Sequence, residues 1–224
     1  MTDIIDREEL ELRLARRLNK AQMKALKELL ELLGDPPDWY RVPQAFWDAS
    51  GKALVSVIGP IIEEIYVMQA EAMLAGFAGI GVEWDLINQA AVDWARAHAA
   101  DLVGKLMQRS YEFARQAVAD FFEQGWTMGD LEARLARVYG AQRAEVIAVT
   151  EVTRAAVEGE RATVKELEKY GIFMIEIWQT ENDELVCPIC GPRHEKREGD
   201  GWTRDDGPPA HPKCRCWVNH VMKD

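Results

Sequence analysis

All four cysteines of this 224-residue chain lie between positions 187 and 216. They form two close pairs, Cys187-Pro188-Ile189-Cys190 and Cys214-Arg215-Cys216, with His211 just ahead of the second. Thiolates and imidazoles at such spacings are metal ligands by type. A two-residue spacer lets a tight turn aim both sulfurs at one ion. A one-residue spacer does the same where the backbone is extended, because side chains two apart share a face. Zn2+ prefers four nitrogen or sulfur ligands in a tetrahedron, and a structural site fills all four. The expected ligands are Cys187, Cys190, Cys214 and Cys216, which match that number with none left over. His211 is the alternative, replacing one of the second pair, and His194 is a further candidate. A catalytic zinc keeps one position open for water, and neither HExxH nor HxE with PCxxC occurs here. No catalytic residue is expected. Two other readings of the cysteines are reduced thiols in a small core and a pair of disulfides. A redox role for the CxxC lacks the βαβ context such motifs occupy.

These ligands need elements to hold them. Residues 191–209 between the pairs are rich in Gly, Pro and charge and cannot build a core alone. A metal clip that closes this loop would order it. Upstream the pattern is helical. Leu10, Leu14, Leu18, Ala21, Ala25, Leu29 and Leu32 mark one face of a helix over 6–33, closed by Gly34-Asp35-Pro36-Pro37. A second helical region covers 43–74, where Gly59-Pro60 predicts a kink or a short break. Gly76, Gly79 and Gly81 make a loop without phosphate-binding spacing. A long helix is expected over 84–123. Thr127-Met128-Gly129-Asp130 reads as a capping-box start for a short helix ending at Gly140. A last helix covers 141–170, and Gly171 leads into a β-branched, aromatic strand over 172–178. Within the last helix, Glu151 beside Arg154 reads as a structural buried acid, and His98 as a surface or core histidine.

The expected fold is mainly α: an elongated helical body with a small C-terminal α+β, zinc-clipped module. The expected division is 1–80, a helix plus a kinked helix; 81–171, the helical body; and 172–224, the strand and Cys/His cluster. Composition frames this. A hydrophobic fraction of 48% and a charged fraction of 29% are those of a soluble globular protein. No apolar run of membrane-spanning length is expected, and the first residues carry no secretory pattern. Cysteines without such a signal point to a reducing compartment, where pairs more often hold metal than form disulfides. A net charge of −11 argues against a general nucleic-acid coat, since phosphate binding rests on clustered Lys and Arg.

The C-terminal residues resemble a known family, the phage Mu F-like head morphogenesis or minor capsid proteins. Its pattern is Trp-x-Thr-x-x-Asp-x-x-Val-Cys-x-x-Cys, a variable loop, then Pro-Pro-x-His-Pro-x-Cys-Arg-Cys. Trp178, Thr180, Asp183, Val186, Cys187 and Cys190 match the first part, and Pro208, Pro209, His211, Pro212, Cys214, Arg215 and Cys216 the second. An upstream Ile-Ala-x-Thr-Glu string corresponds to Ile147 through Thr150 and Glu151. The resemblance covers about residues 85–218. Val149 stands where the family often has Arg, and Gly191-Pro192-Arg193-His194 replaces a Leu-x-Gly. The resemblance implies a structural protein of a tailed-phage head or prophage, present in few copies and associated with the portal vertex and procapsid assembly. Its implied partners are the portal protein, the major capsid or scaffolding protein, and further copies of itself, with packaged DNA as an additional contact and no membrane. Its implied location is the virion or procapsid interior, after synthesis in the bacterial host cytoplasm. The alternatives are a zinc-supported nuclease using His211 and Asn219-His220, and a DNA-binding zinc module. The latter would use Arg193, Lys196, Arg197, Arg204, Lys213 and Arg215 on phosphates.

Overall fold

The computed structural model describes residues 4–77, 79–82 and 84–223. Among these, the chain is mainly helical with one small two-stranded antiparallel sheet near its C-terminal end. α1 spans Arg7–Leu33 and buries Leu10, Leu14, Leu18, Leu26, Leu29 and Leu33, the stripe its periodicity predicts. Gly34, at φ 74°, closes it in the left-handed conformation that glycine tolerates best.

α2 spans Gln44–Ala75 without interruption, so the expected short break at Gly59-Pro60 does not occur. An interior proline costs about 3 kcal/mol through its missing N–H and ring clash. Ile58, Ile61, Ile62 and Ile65, all almost fully buried, surround it and outweigh that cost. The sequence reading of α2 needs a second correction. By length and composition this helix is apolar enough to cross a membrane, although 44% of its most apolar window is buried within the protein.

α3 spans Trp84–Gln124 and ends at Gly125, φ 65°. α4, Met128–Tyr139, begins with the expected capping box. Thr127 Oγ1 accepts from the Asp130 N–H at 3.3 Å, and Asp130 Oδ2 accepts from the Thr127 N–H at 2.9 Å. α5, Ala141–Glu168, is buried at Ala144, Ile147, Ala148, Val149, Val152, Ala155, Ala156 and Val157. That run covers more of its circumference than a one-sided surface helix would. β1, Met174–Gln179, pairs antiparallel with β2, Trp217–Met222, in a register that sets Glu176 opposite His220 and Trp178 opposite Val218. β2 was not anticipated from the sequence.

Contacts gather the chain into two compact units. One comprises Met1–Glu11, Ile61–Ala95 and Val146–Asp224; the other, Leu12–Pro60 and Arg96–Glu145. The second has a core of Leu26, Leu29, Leu33, Phe46, Trp47, Val118, Leu131, Leu135 and Tyr139. The first contains every cysteine. Its cores are Tyr66, Ala70, Ile87 and Ala91 in one cluster, and Val157, Trp178, Trp202 and Val218 packed with Cys190, Cys214 and Cys216 in another. In this unit α5 passes so close to α2 that a Cβ on Gly159 would press into the backbone carbonyl of Tyr66.

Candidate metal centre

The Cys187–Cys190 pair sits on a tight turn. The N–H groups of Cys190 and Gly191 both donate to the Cys187 carbonyl, at 3.1 and 3.0 Å, and the Cys190 N–H also reaches the Cys187 sulfur at 3.4 Å. Burial works against the Cys187 thiolate, but the N–H groups of Cys190 and Ile189 hold its pKa below that of an ordinary thiol. The second pair enters through a turn in which the Cys214 N–H donates to His211 O at 3.2 Å. The His211 ring points at the first pair, with Nε2 lying 3.1 Å from Cys187 Sγ and 3.3 Å from Cys190 Sγ. Its Nδ1 lies 2.9 Å from the Pro212 carbonyl; with the proton placed there, a neutral ring would turn the Nε2 lone pair toward the sulfurs. Cys190 Sγ lies 3.9 Å from Cys214 Sγ.

Two trios of ligand atoms therefore gather, Cys187–Cys190–His211 and Cys190–Cys214–Cys216, each within 4.8 Å and sharing Cys190. Cys190 and Cys214 are each 1% exposed. Hydrogen bonds from Cys190 and Cys216 hold Cys214 low, while the same contact with Cys214 pushes Cys190 up. The sulfurs are thus crowded together and withdrawn from water. Soft donors, crowding of the thiols and a lone pair aimed into the group all fit a bound cation such as Zn2+, to which these five residues could supply ligands. His194 turns elsewhere, accepting from the Thr180 N–H at 3.2 Å.

Neighbouring elements fix both loops. Trp178 is fully buried on β1, edge-on to Trp202 at 5.2 Å, with the Arg193 guanidinium over its ring at 5.0 Å. Asp183 takes Arg215 Nη2 at 2.7 Å on both oxygens, tying the turn before the first pair to the residue between the second. On α5, Thr150 Oγ1 accepts from the Lys213 N–H at 2.8 Å, and Thr153 Oγ1 donates to the Cys214 carbonyl at 3.0 Å. Glu151 is buried, 3.7 Å from Arg154 Nε.

A second charged cluster, missed in the sequence, fastens the hairpin to α5. Arg161 donates to Glu176 through Nε at 3.0 Å and Nη2 at 2.9 Å, and Arg204 Nε adds a contact at 2.9 Å. His220 Nδ1 lies 3.2 Å from Glu160, whose other oxygen accepts from Gln69 at 2.7 Å. Burial raises the Glu176 pKa, but hydrogen bonds from His220 and Arg161 outweigh it and bring the carboxyl down to about 2. Its only trace in the sequence was an acid between Ile175 and Ile177 in an apolar strand.

Comparison with known families places this geometry. Residues 113–219 match phage Mu protein F like protein. The Mu F-like match contains α4, α5, β1, the first half of β2, every cysteine and His211, and it supports the resemblance read from the motifs. It begins later than the resemblance did, so α1, α2 and most of α3 lie outside it. No curated protein and no solved structure matches the chain. The Mu F-like family points to a phage head morphogenesis protein and is consistent with a non-enzymatic role.

Proposed function

We propose that the chain is a head morphogenesis protein of a tailed phage or prophage, a minor capsid component acting through protein contacts at the portal or the capsid interior. Its C-terminal module is held by a structural Zn2+ on Cys187, Cys190, Cys214 and Cys216, with His211 as the alternative ligand. The single observation that carries this reading is the Mu F-like match over the segment that holds the cysteine cluster. The clustered ligands support the clip. The metal would supply the cross-link between two loops, and the chain's own residues do the rest. Trp178 fills the space beneath the cluster, Thr150 and Thr153 hold the second loop on α5, and Asp183 with Arg215 joins the two loops. Leu185 and Ile189, exposed on the first loop, offer apolar surface to a partner protein. The partners in this reading are the portal protein, the major capsid or scaffolding protein, and further copies of the chain.

Two observations weigh against the nucleic-acid alternatives. His220, which a nuclease would place at a second metal, is buried between Glu160 and Glu176. Arg193, Arg204 and Arg215, three of the bases offered to phosphate, are paired with Asp206, Glu176 and Asp183. The test is co-expression with the portal, scaffolding and capsid proteins of the same genome. The account predicts that the chain co-purifies with procapsids and that Cys190→Ser abolishes this. Procapsids that never contain the chain contradict it.

A further inference from the structure

Arg7 stands at the first position of α1, more than a hundred residues ahead of the Mu F-like segment, yet its guanidinium is spent on the cysteine module. Nη1 donates to the Arg215 carbonyl at 2.6 Å and to Glu181 Oε1 at 3.2 Å; Nη2 donates to Thr153 Oγ1 at 3.1 Å. Nε donates to Glu11 at 2.9 Å, and the side chain is only 11% exposed. Arg215 is the residue between Cys214 and Cys216, and Thr153 is the residue that holds the Cys214 carbonyl. One side chain thus grips the backbone of the second cysteine pair and the helix beneath it. The segment around Arg7 is anchored to the same unit. Ile4 is buried, and the Ile5 N–H donates to Gln69 Oε1 at 3.3 Å, whose amide nitrogen donates to Glu160.

We propose that Arg7 is a positioning residue for the metal centre and couples the start of α1 to its occupancy. The inference rests on the metal reading above. The cysteine pair can present both sulfurs to one ion only while its backbone is held extended. The carbonyl of the residue between them is where a donor can hold it so. Arg suits the task because its planar fork reaches a carbonyl, a hydroxyl and a carboxylate together, which a lysine ammonium cannot match in geometry. Linkage makes the effect reciprocal: whatever tightens metal binding through Arg7 is tightened by the metal in turn. A loaded centre therefore pins residues 4–11, and a stripped one releases them.

The test uses the full chain. Zinc affinity is measured by competition with a chromophoric chelator for wild type, Arg7→Ala, Arg7→Lys and the exposed control Lys27→Ala. Amide exchange of residues 4–11 is followed in wild type with zinc and after chelation. Loss of a group that orients ligands typically costs about 10- to 100-fold in metal affinity. Arg7→Ala is expected to show a loss in that range, Arg7→Lys a smaller one, and Lys27→Ala none. Chelation is expected to speed exchange at 4–11. Zinc held equally by wild type and Arg7→Ala, or unchanged exchange on chelation, overturns the coupling while leaving the metal reading intact. Wild type that binds no zinc overturns both. If Arg7→Ala does not fold, Arg7→Lys and the wild-type exchange measurement still decide.

Discussion

Thr150 Oγ1 accepts a hydrogen bond from the Lys213 N–H at 2.8 Å and donates its own proton to the Val146 carbonyl at 2.7 Å. A helix residue thereby anchors the backbone beside Cys214. Thr150→Val keeps the shape and removes the acceptor, leaving the Lys213 N–H to find water. The expected loss is about 1 kcal/mol, with the larger effect on the cysteine loop than on the helices. Amide exchange at residues 211–216 checks this, and unchanged protection there contradicts it.

The Arg161–Glu176–His220 cluster makes stability depend on pH from both sides. Glu176 is ionised in the fold down to about pH 2, against an ordinary value of 4.5. Its contribution, at most about 3 kcal/mol, is present above pH 4.5 and is lost as pH falls from 4.5 toward 2. For His220, burial acts against the charged form, but Glu160 and Glu176 outweigh it and hold the imidazolium above its ordinary 6.5. That contribution is complete below pH 6.5 and is lost as pH rises through the folded value. Denaturant melts across pH should show a maximum between these limits, and Glu176→Gln should flatten the acid side. It should also lower stability at neutral pH, because Arg161 and Arg204 lose the buried anion they share and keep only Glu158 and Glu198.

Trp178 is the largest fully buried side chain of the protein and forms the floor of the cysteine module. Trp178→Ala should cost about 3–5 kcal/mol through lost transfer energy and the cavity it leaves. Trp178→Phe should cost less. Equilibrium unfolding checks the order, and equal stabilities would contradict the packing described.

Gly159 separates two opposing effects. Alanine is preferred to glycine inside a helix by about 1 kcal/mol. A Cβ here, however, meets the Tyr66 backbone carbonyl, which cannot rotate away as a side-chain tip could. Overpacking of about 1–3 kcal/mol should win, so Gly159→Ala should lower the melting temperature. A rise would show that α2 and α5 separate without cost.

What could be read from the sequence follows from how local each cause is. The stripe of α1, the capping box at Thr127 and the strand expected over 172–178 rest on neighbours a few residues apart; the structure has all three, with the strand at Met174–Gln179. The cysteine pairs and His211 announced themselves by type and spacing. Trp178, Thr180 and Asp183 stood out only through the family resemblance, since nothing local marks them as supports. Of the kink or short break expected at Gly59-Pro60, the break is absent because the cost of Pro60 is local while the packing that offsets it is not. β2 was missed because its alternation is broken by Asn219 and His220. Arg7 was out of reach, since its partners Thr153 and Arg215 lie 146 and 208 residues away.

The central claim is that the cysteine cluster is a closed metal clip. Metal analysis of the purified protein, with thiol reactivity measured before and after chelation, tests it most directly. The account predicts one zinc per chain and four cysteines that react only once the metal is removed. A metal-free protein with four freely reactive thiols would contradict it.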